Sequence, residues 1–238
     1  MFIQTETTPN DDSLKFIPGV PVMSTGSAEF LDTRSALASP LAIRLMGIEG
    51  VKCVFYGPDF VTVSKDSENA WSVVKPEIYS TLMEHFTSGQ PLFRSEEDKA
   101  SAGPQDTKVL DTDSETVAMI KELLDTRIRP TIMEDGGDIE YKGFHEGGSG
   151  VVRLMLKGSC RGCSSSTVTL KAGIERMLMH FIPEVKGVEQ ARPHSRLVSN
   201  PLMEVRDRLW VKRRLLLSMN SVNLSRSWLG KKRRKIQS

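Results

Sequence analysis

Between Ser95 and Asp113 the apolar residues nearly vanish, and Glu, Asp, Ser, Gly, Pro and Lys take their place. A stretch of that make-up buries too little surface to offset the entropy of ordering it. It therefore divides the chain instead of joining one core. We expect an N-terminal unit at 1–88, a linker at 89–113, a second unit at 114–190 and a tail at 191–238. Units of this size call for small mixed layers. The expected fold class is α/β in the α+β sense: two small mixed domains joined by a polar linker, with a basic tail read as disordered.

Local patterns fill in the first unit. Phe2 to Glu6 and Leu14 to Ile17 read as strands around turn chemistry at Pro9-Asn10-Asp11-Asp12-Ser13. Ser39-Pro40 supplies a helix cap followed by proline at the first helical position, and Leu41, Leu45 and Ile48 supply the apolar face. Val51 to Tyr56 and Phe60 to Val63 read as a hairpin around Gly57-Pro58-Asp59. A second helix is expected after Pro76, with Ile78, Tyr79, Leu82 and Phe86 inward and Gly89 as its C-terminal cap. Cys53, alone in its strand, reads as a packed thiol.

In the second unit, Thr112-Asp113-Ser114-Glu115 fits a capping box, followed by Val117, Ile120, Leu123, Leu124 and Ile128 at helical spacing. Pro130 is expected to stop that helix. Ile139 to Phe144 and Val151 to Leu156 form a predicted hairpin. The acidic run Met133-Glu134-Asp135-Gly136-Gly137-Asp138 before it reads as an ordinary turn. A last helix with Val168, Ile174, Met177, Leu178 and Phe181 on one side ends before Pro183, and Val185 to Val188 suggests a short strand.

Charge separates the tail from the body. From residue 192 onward thirteen Lys and Arg face two acids, a net +11, while the first 191 residues carry nineteen against twenty-eight, a net −9. The tail, ending Lys231-Lys232-Arg233-Arg234-Lys235, reads as an unstructured extension. A nuclear signal or a patch for anionic surfaces is the sharper alternative, and specific nucleic-acid binding is not expected beyond it. No run of eighteen apolar residues occurs, so no membrane span is expected. The N-terminus lacks a secretory core and an Arg-rich transit character, and is expected to be the start of a mature domain. Three cysteines do not suggest a disulfide framework, and point to a reducing compartment.

Chemistry concentrates at Gly158-Ser159-Cys160-Arg161-Gly162-Cys163-Ser164-Ser165-Ser166. The pair Cys160 and Cys163 sits between a predicted strand and a predicted helix. Amides at a helix start favour thiolate, the form that ligates metal and attacks disulfides. Spacing alone leaves three readings open: a metal half-site, a redox dithiol, or two packed thiols. Iron–sulfur clusters and structural zinc both usually take four protein ligands. This domain offers two, and His85, His145, His180 and His194 are isolated. A metal site built here needs a second molecule: two copies would complete four thiolates across a two-fold axis. A cluster held so would be exposed and easily released, which suits a carrier. A thioredoxin-type pattern usually has an aromatic residue before the first cysteine and often a proline between the two. Ser159 and Arg161-Gly162 stand there instead.

With Ile128-Arg129-Pro130, Glu134 to Asp138, Gly158 to Ser166 and Ile182 to Val188, the second unit resembles the Nfu family of NifU-like iron–sulfur scaffold and carrier proteins. The first unit is similar to that family's N-terminal module at Thr8-Pro9-Asn10, Leu14-Lys15-Phe16, Ser39 to Ala42 and Gly57 to Val63. The resemblance implies a non-enzymatic carrier. Cys160 and Cys163 would bind a 4Fe–4S cluster, with 2Fe–2S as the alternative, bridging a homodimer formed through the CxxC domain. It implies upstream cluster assembly proteins as donors and apo iron–sulfur proteins, of the lipoyl-synthase or aconitase type, as recipients. It implies a mitochondrial location, although no transit peptide is visible. The N-terminal unit is expected to serve partner recognition or control of oligomeric state. A dithiol oxidoreductase and a zinc-bridged structural dimer are the alternatives. The family typically ends in a short acidic stretch, where this chain carries its basic tail.

Overall fold

The computed structural model describes residues 2–23, 26–95, 97, 106–145, 149–161 and 164–191. Cys163 and the basic tail lie outside the described residues, and so do the expectations that fall on them. Residues 1–192 form one compact unit.

The first half is a five-stranded antiparallel sheet with helices on one face. Its strands are β1 (Gln4–Thr7), β2 (Ser13–Ile17), β3 (Ala28–Phe30), β4 (Val51–Tyr56) and β5 (Val61–Lys65), in the order β1-β2-β5-β4-β3. The helices are α1 (Thr33–Ala36), α2 (Pro40–Met46) and α3 (Trp71–Ser88). The Ser39 hydroxyl accepts from Ala42 N with Pro40 next in line, as expected from the sequence. Gly89 closes α3 in the left-handed conformation at φ 66°. Two elements were missed: β3 and α1 are three and four residues long and too short to show a period. Helix α3 also starts at Trp71, ahead of Pro76. Its first turns are held by burial of Val74 and by the Trp71 indole donating to Asp11 O at 2.9 Å, and this packing outweighs the hydrogen bond that Pro76 cannot make.

The second half has its own core. Helix α4 (Glu115–Leu123) runs through a π-helical turn (Leu124–Ile128) into α5 (Arg129–Glu134). Two expectations fail here. The cap is Ser114, whose hydroxyl accepts from Val117 N, and Asp113 instead pairs with Lys121 at 2.6 Å, so the box at Thr112 does not form. Nor does Pro130 end the helix. The ladder shifts, with Arg129 N bonding back to Leu124 O, and the wider turn accommodates the proline ring. The end of the expected linker is also tied down, because Asp106 accepts from Tyr141 N and lies 3.6 Å from the Arg129 guanidinium.

Strands β6 (Gly137–Phe144) and β7 (Val151–Gly158) form an antiparallel hairpin, and β8 (Gly187–Gln190) adds to β7 in parallel. Helix α6 (Ser164–Phe181) lies against β8. It buries Ile174 and Leu178 as expected, but leaves Val168 and Phe181 about half exposed or more. No described helix is long and apolar enough to cross a membrane.

The N-terminal sheet is covered on both faces. Side chains alternate along a strand. Phe16, Ala28, Phe30, Val54, Tyr56, Val61 and Val63 point into the helix-covered core. Lys15, Glu29, Cys53, Phe55 and Thr62, one place out of step, point the other way, where Phe55 and Thr62 are nonetheless almost wholly buried. What buries them is the second half of the chain, at its cysteine turn.

Candidate functional site

The turn is built by glycine. Strand β7 ends at Gly158, which takes φ +64°, and a single 3₁₀ turn, Ser159–Arg161, follows before α6 begins at Ser164. Register pairs Gly158 with Gly137, the first residue of β6. A Cβ on Gly137 would lie 2.6 Å from Cys160 Sγ and 2.7 Å from Lys157 O. A Cβ on Gly158 would meet Gly136 O at 2.8 Å and the Phe55 ring at 3.0 Å. The sulfur of Cys160 thus rests against bare backbone, in space that any side chain at 137 would fill.

The acidic run before β6 is therefore more than an ordinary turn. Ser159 Oγ donates to Asp135 O at 2.7 Å and lies 3.7 Å from Cys160 Sγ, and Ser159 N donates to Gly136 O. Asp138 has no exposure. Its carboxylate accepts from Arg129 at 2.8 and 3.0 Å, from Ile139 N, and from Ser27 Oγ of the first half. The run fixes one wall of the cysteine turn.

Cys160 itself is 8% exposed. Burial pushes its thiol up to about 11; the Ser159 hydrogen bond works against that rise, and the Asp135 and Asp138 charges add to it. Thiolate stabilisation, expected from a helix start, does not describe Cys160. It precedes α6 by four residues and sits in a desolvated pocket. Such a thiol keeps its proton near neutral pH until a metal displaces it. Cys53, also buried, is raised still further by desolvation and by the Glu29 charge, in keeping with a packed thiol. Among the described residues, no three His, Cys, Asp or Glu side chains gather to hold a metal ion.

The first half supplies residues that local patterns did not single out. Glu29 on β3 accepts from Gly158 N at 2.8 Å and from Arg161 Nε at 3.1 Å, and pairs with the same guanidinium a second time. Asn10 Nδ2 donates to Ser159 O at 3.3 Å, Thr62 Oγ1 to Gly136 O at 2.8 Å, and Lys15 Nζ to Glu134 O at 3.2 Å. These pairs are separated by 74 to 149 residues, beyond the reach of periodicity. Two signals were available: Asn10, Lys15 and Thr62 fall within the strings that carry the family resemblance, and Cys53-Val54-Phe55-Tyr56 is an unbroken apolar run, which marks a strand buried on both faces.

Comparison with known proteins finds two family modules along the chain. Residues 3–89 match the family model described as scaffold protein Nfu/NifU N terminal, and residues 120–189 match the NifU-like domain. NifU-like protein 4, mitochondrial, of Arabidopsis thaliana is 58% identical over 190 residues, covering 80% of this chain and 66% of that one. NifU-like protein 5, mitochondrial, of the same plant is 56% identical, covering 80% and 68%. The human NFU1 iron-sulfur cluster scaffold homolog, mitochondrial, is 56% identical over 191 residues, covering 80% and 72%. The chain thus spans about two thirds of the length of these relatives. A solution structure of a NifU-like protein from Saccharomyces cerevisiae is 30% identical over 40% of this chain and 86% of that one, with a TM-score of 0.36. The mitochondrial location expected from the resemblance agrees with these relatives. Carrying both modules in order, at this identity, the chain belongs to the Nfu family of NifU-like proteins.

Proposed function

We propose that this chain is a mitochondrial iron–sulfur scaffold and carrier, with the cluster as its cargo and not a resident cofactor. Cys160 and Cys163 of one copy would supply two thiolates, and the same pair of a second copy the other two. Apo-proteins would then take the cluster by exchanging their own thiols for these, one at a time. The family membership supports the scaffold role. The observation that carries the assignment to this turn is Cys160, seated against Gly137 with no side chain between sulfur and backbone.

The state of that thiol favours cargo binding over dithiol exchange. A disulfide reductase needs an attacking thiolate near neutral pH, and Cys160 is held protonated by burial. Iron supplies the drive to deprotonate it, so loading should release protons and slow as pH falls. The chain's three cysteines, one of them Cys53 packed in β4, cannot complete four thiolates alone.

Anaerobic reconstitution with iron and sulfide tests the reading. The wild-type chain should gain the visible sulfide-to-iron absorption of a bound cluster, and Cys160→Ser should lose it after desalting, with far-UV circular dichroism unchanged. A Cys160→Ser protein that keeps its full absorption removes Cys160 from the ligand set. Insulin reduction that survives chelation would favour the oxidoreductase instead.

A further inference from the structure

We infer that the N-terminal sheet is a built-in cover for the cysteine turn, latched by Glu29 on Arg161 and Gly158, and that it must lift before a second copy can share a cluster at Cys160. The inference rests on the proposed sharing of cargo and adds a closed state to it.

Three observations carry it. The first is coverage. The second face of the sheet, with Phe55 and Thr62 almost wholly buried, lies on the two backbone segments that flank Cys160. Thr62 and Lys15 bond the Glu134–Gly136 side, while Glu29 and Asn10 bond the Gly158–Arg161 side. A partner bringing thiolates to Cys160 would have to approach a turn that is already gripped from both sides.

The second is the kind of seam. Phe55 and Phe60, with ring centroids 6.0 Å apart, supply a modest apolar patch. Hydrogen bonds and the Glu29–Arg161 ion pair supply much of the rest. A seam of that composition resembles interfaces that open and close.

The third is competition for positive groups. The Glu29 carboxylate occupies the Gly158 amide and the guanidinium of Arg161, the residue next to Cys160. Donors beside a cluster's sulfurs stabilise its negative charge. Cargo at Cys160 and the Glu29 latch thus call on the same donors. Whatever loosens the latch favours loading, and loading by the same factor favours opening.

The test uses the apo full-length chain, with no iron present, so its outcome is independent of whether a cluster binds. Cys160 alkylation by iodoacetamide is followed by peptide mass spectrometry, in parallel with hydrogen exchange of peptides covering residues 61–65 and 134–139. Glu29→Gln should speed alkylation about tenfold, the effect of one charge-assisted hydrogen bond on an opening equilibrium. Thr62→Val alters no charge and should act in the same direction. In both variants the two peptides should exchange faster together, because opening exposes both sides of the seam. The idea is overturned if wild-type Cys160 reacts as fast as it does in the urea-unfolded chain. It is equally overturned if both variants, folded by circular dichroism, leave alkylation and exchange at wild-type rates.

Discussion

Gly137 and Cys160 set the chemistry at the smallest scale. Only a residue without a side chain lets the β6 backbone lie against the sulfur. Gly137→Ala should therefore cost about 2 kcal/mol through overpacking, read as a lower urea midpoint at unchanged slope. The Cys160 thiol gives a pH signature with a definite sign. An unfolded chain ionises it near the ordinary 9.0, while the folded chain holds the proton up to about 11. Between those values the folded state binds more protons, so stability falls as pH rises. Denaturation at pH 8 and pH 10.5 should show a loss of about 2 kcal/mol more in the wild type than in Cys160→Ser. At this scale the sequence already marked Cys160, because Gly-Ser-Cys-Arg-Gly-Cys is an unusual string after a strand. It could not mark Glu29, an ordinary acid in a three-residue strand whose partners lie 129 and 132 residues away.

Among the elements, α5 and β6 are locked by Arg129 and Asp138, both buried. Removing one partner strands the other charge in the interior. Arg129→Leu should cost about 3–5 kcal/mol, seen as a large drop in the thermal midpoint. Because the Gly136-Gly137 backbone sits between that pair and Cys160, the variant should also disturb the turn, which faster alkylation of Cys160 would report. Element ends with strong chemistry were legible: Ser39-Pro40, Gly57-Pro58-Asp59 and Gly89 each did what their side chains or φ preferences dictate. The prolines within helices were not. Pro76 and Pro130 cost the hydrogen bond expected of any proline. Packing of Val74 in one case, and a π-helical turn in the other, absorb the loss, and neither can be read from the residues alone.

At the scale of the whole molecule, two hydrophobic cores are bridged by a seam that belongs to neither. Phe55, with no exposure, packs within it against the Gly158 turn. Phe55→Ala should therefore weaken coupling between the halves. Their unfolding transitions, followed by hydrogen exchange of β5 and of β7 peptides in rising urea, should separate where the wild type shows them together. The β4–β5 hairpin was legible from its turn and its β-forming residues, but the burial of its second face was not read from them. The pairing of that second face with the cysteine turn depends on contacts far apart in the chain, which a local pattern does not carry.

Cargo held between two copies is measured directly by native mass spectrometry of the anaerobically reconstituted full chain. We expect iron and sulfide only on a two-chain species, one cluster per pair, with both the cluster and the pairing lost in Cys160→Ser. A single chain that carries a complete cluster with no outside thiol would contradict it.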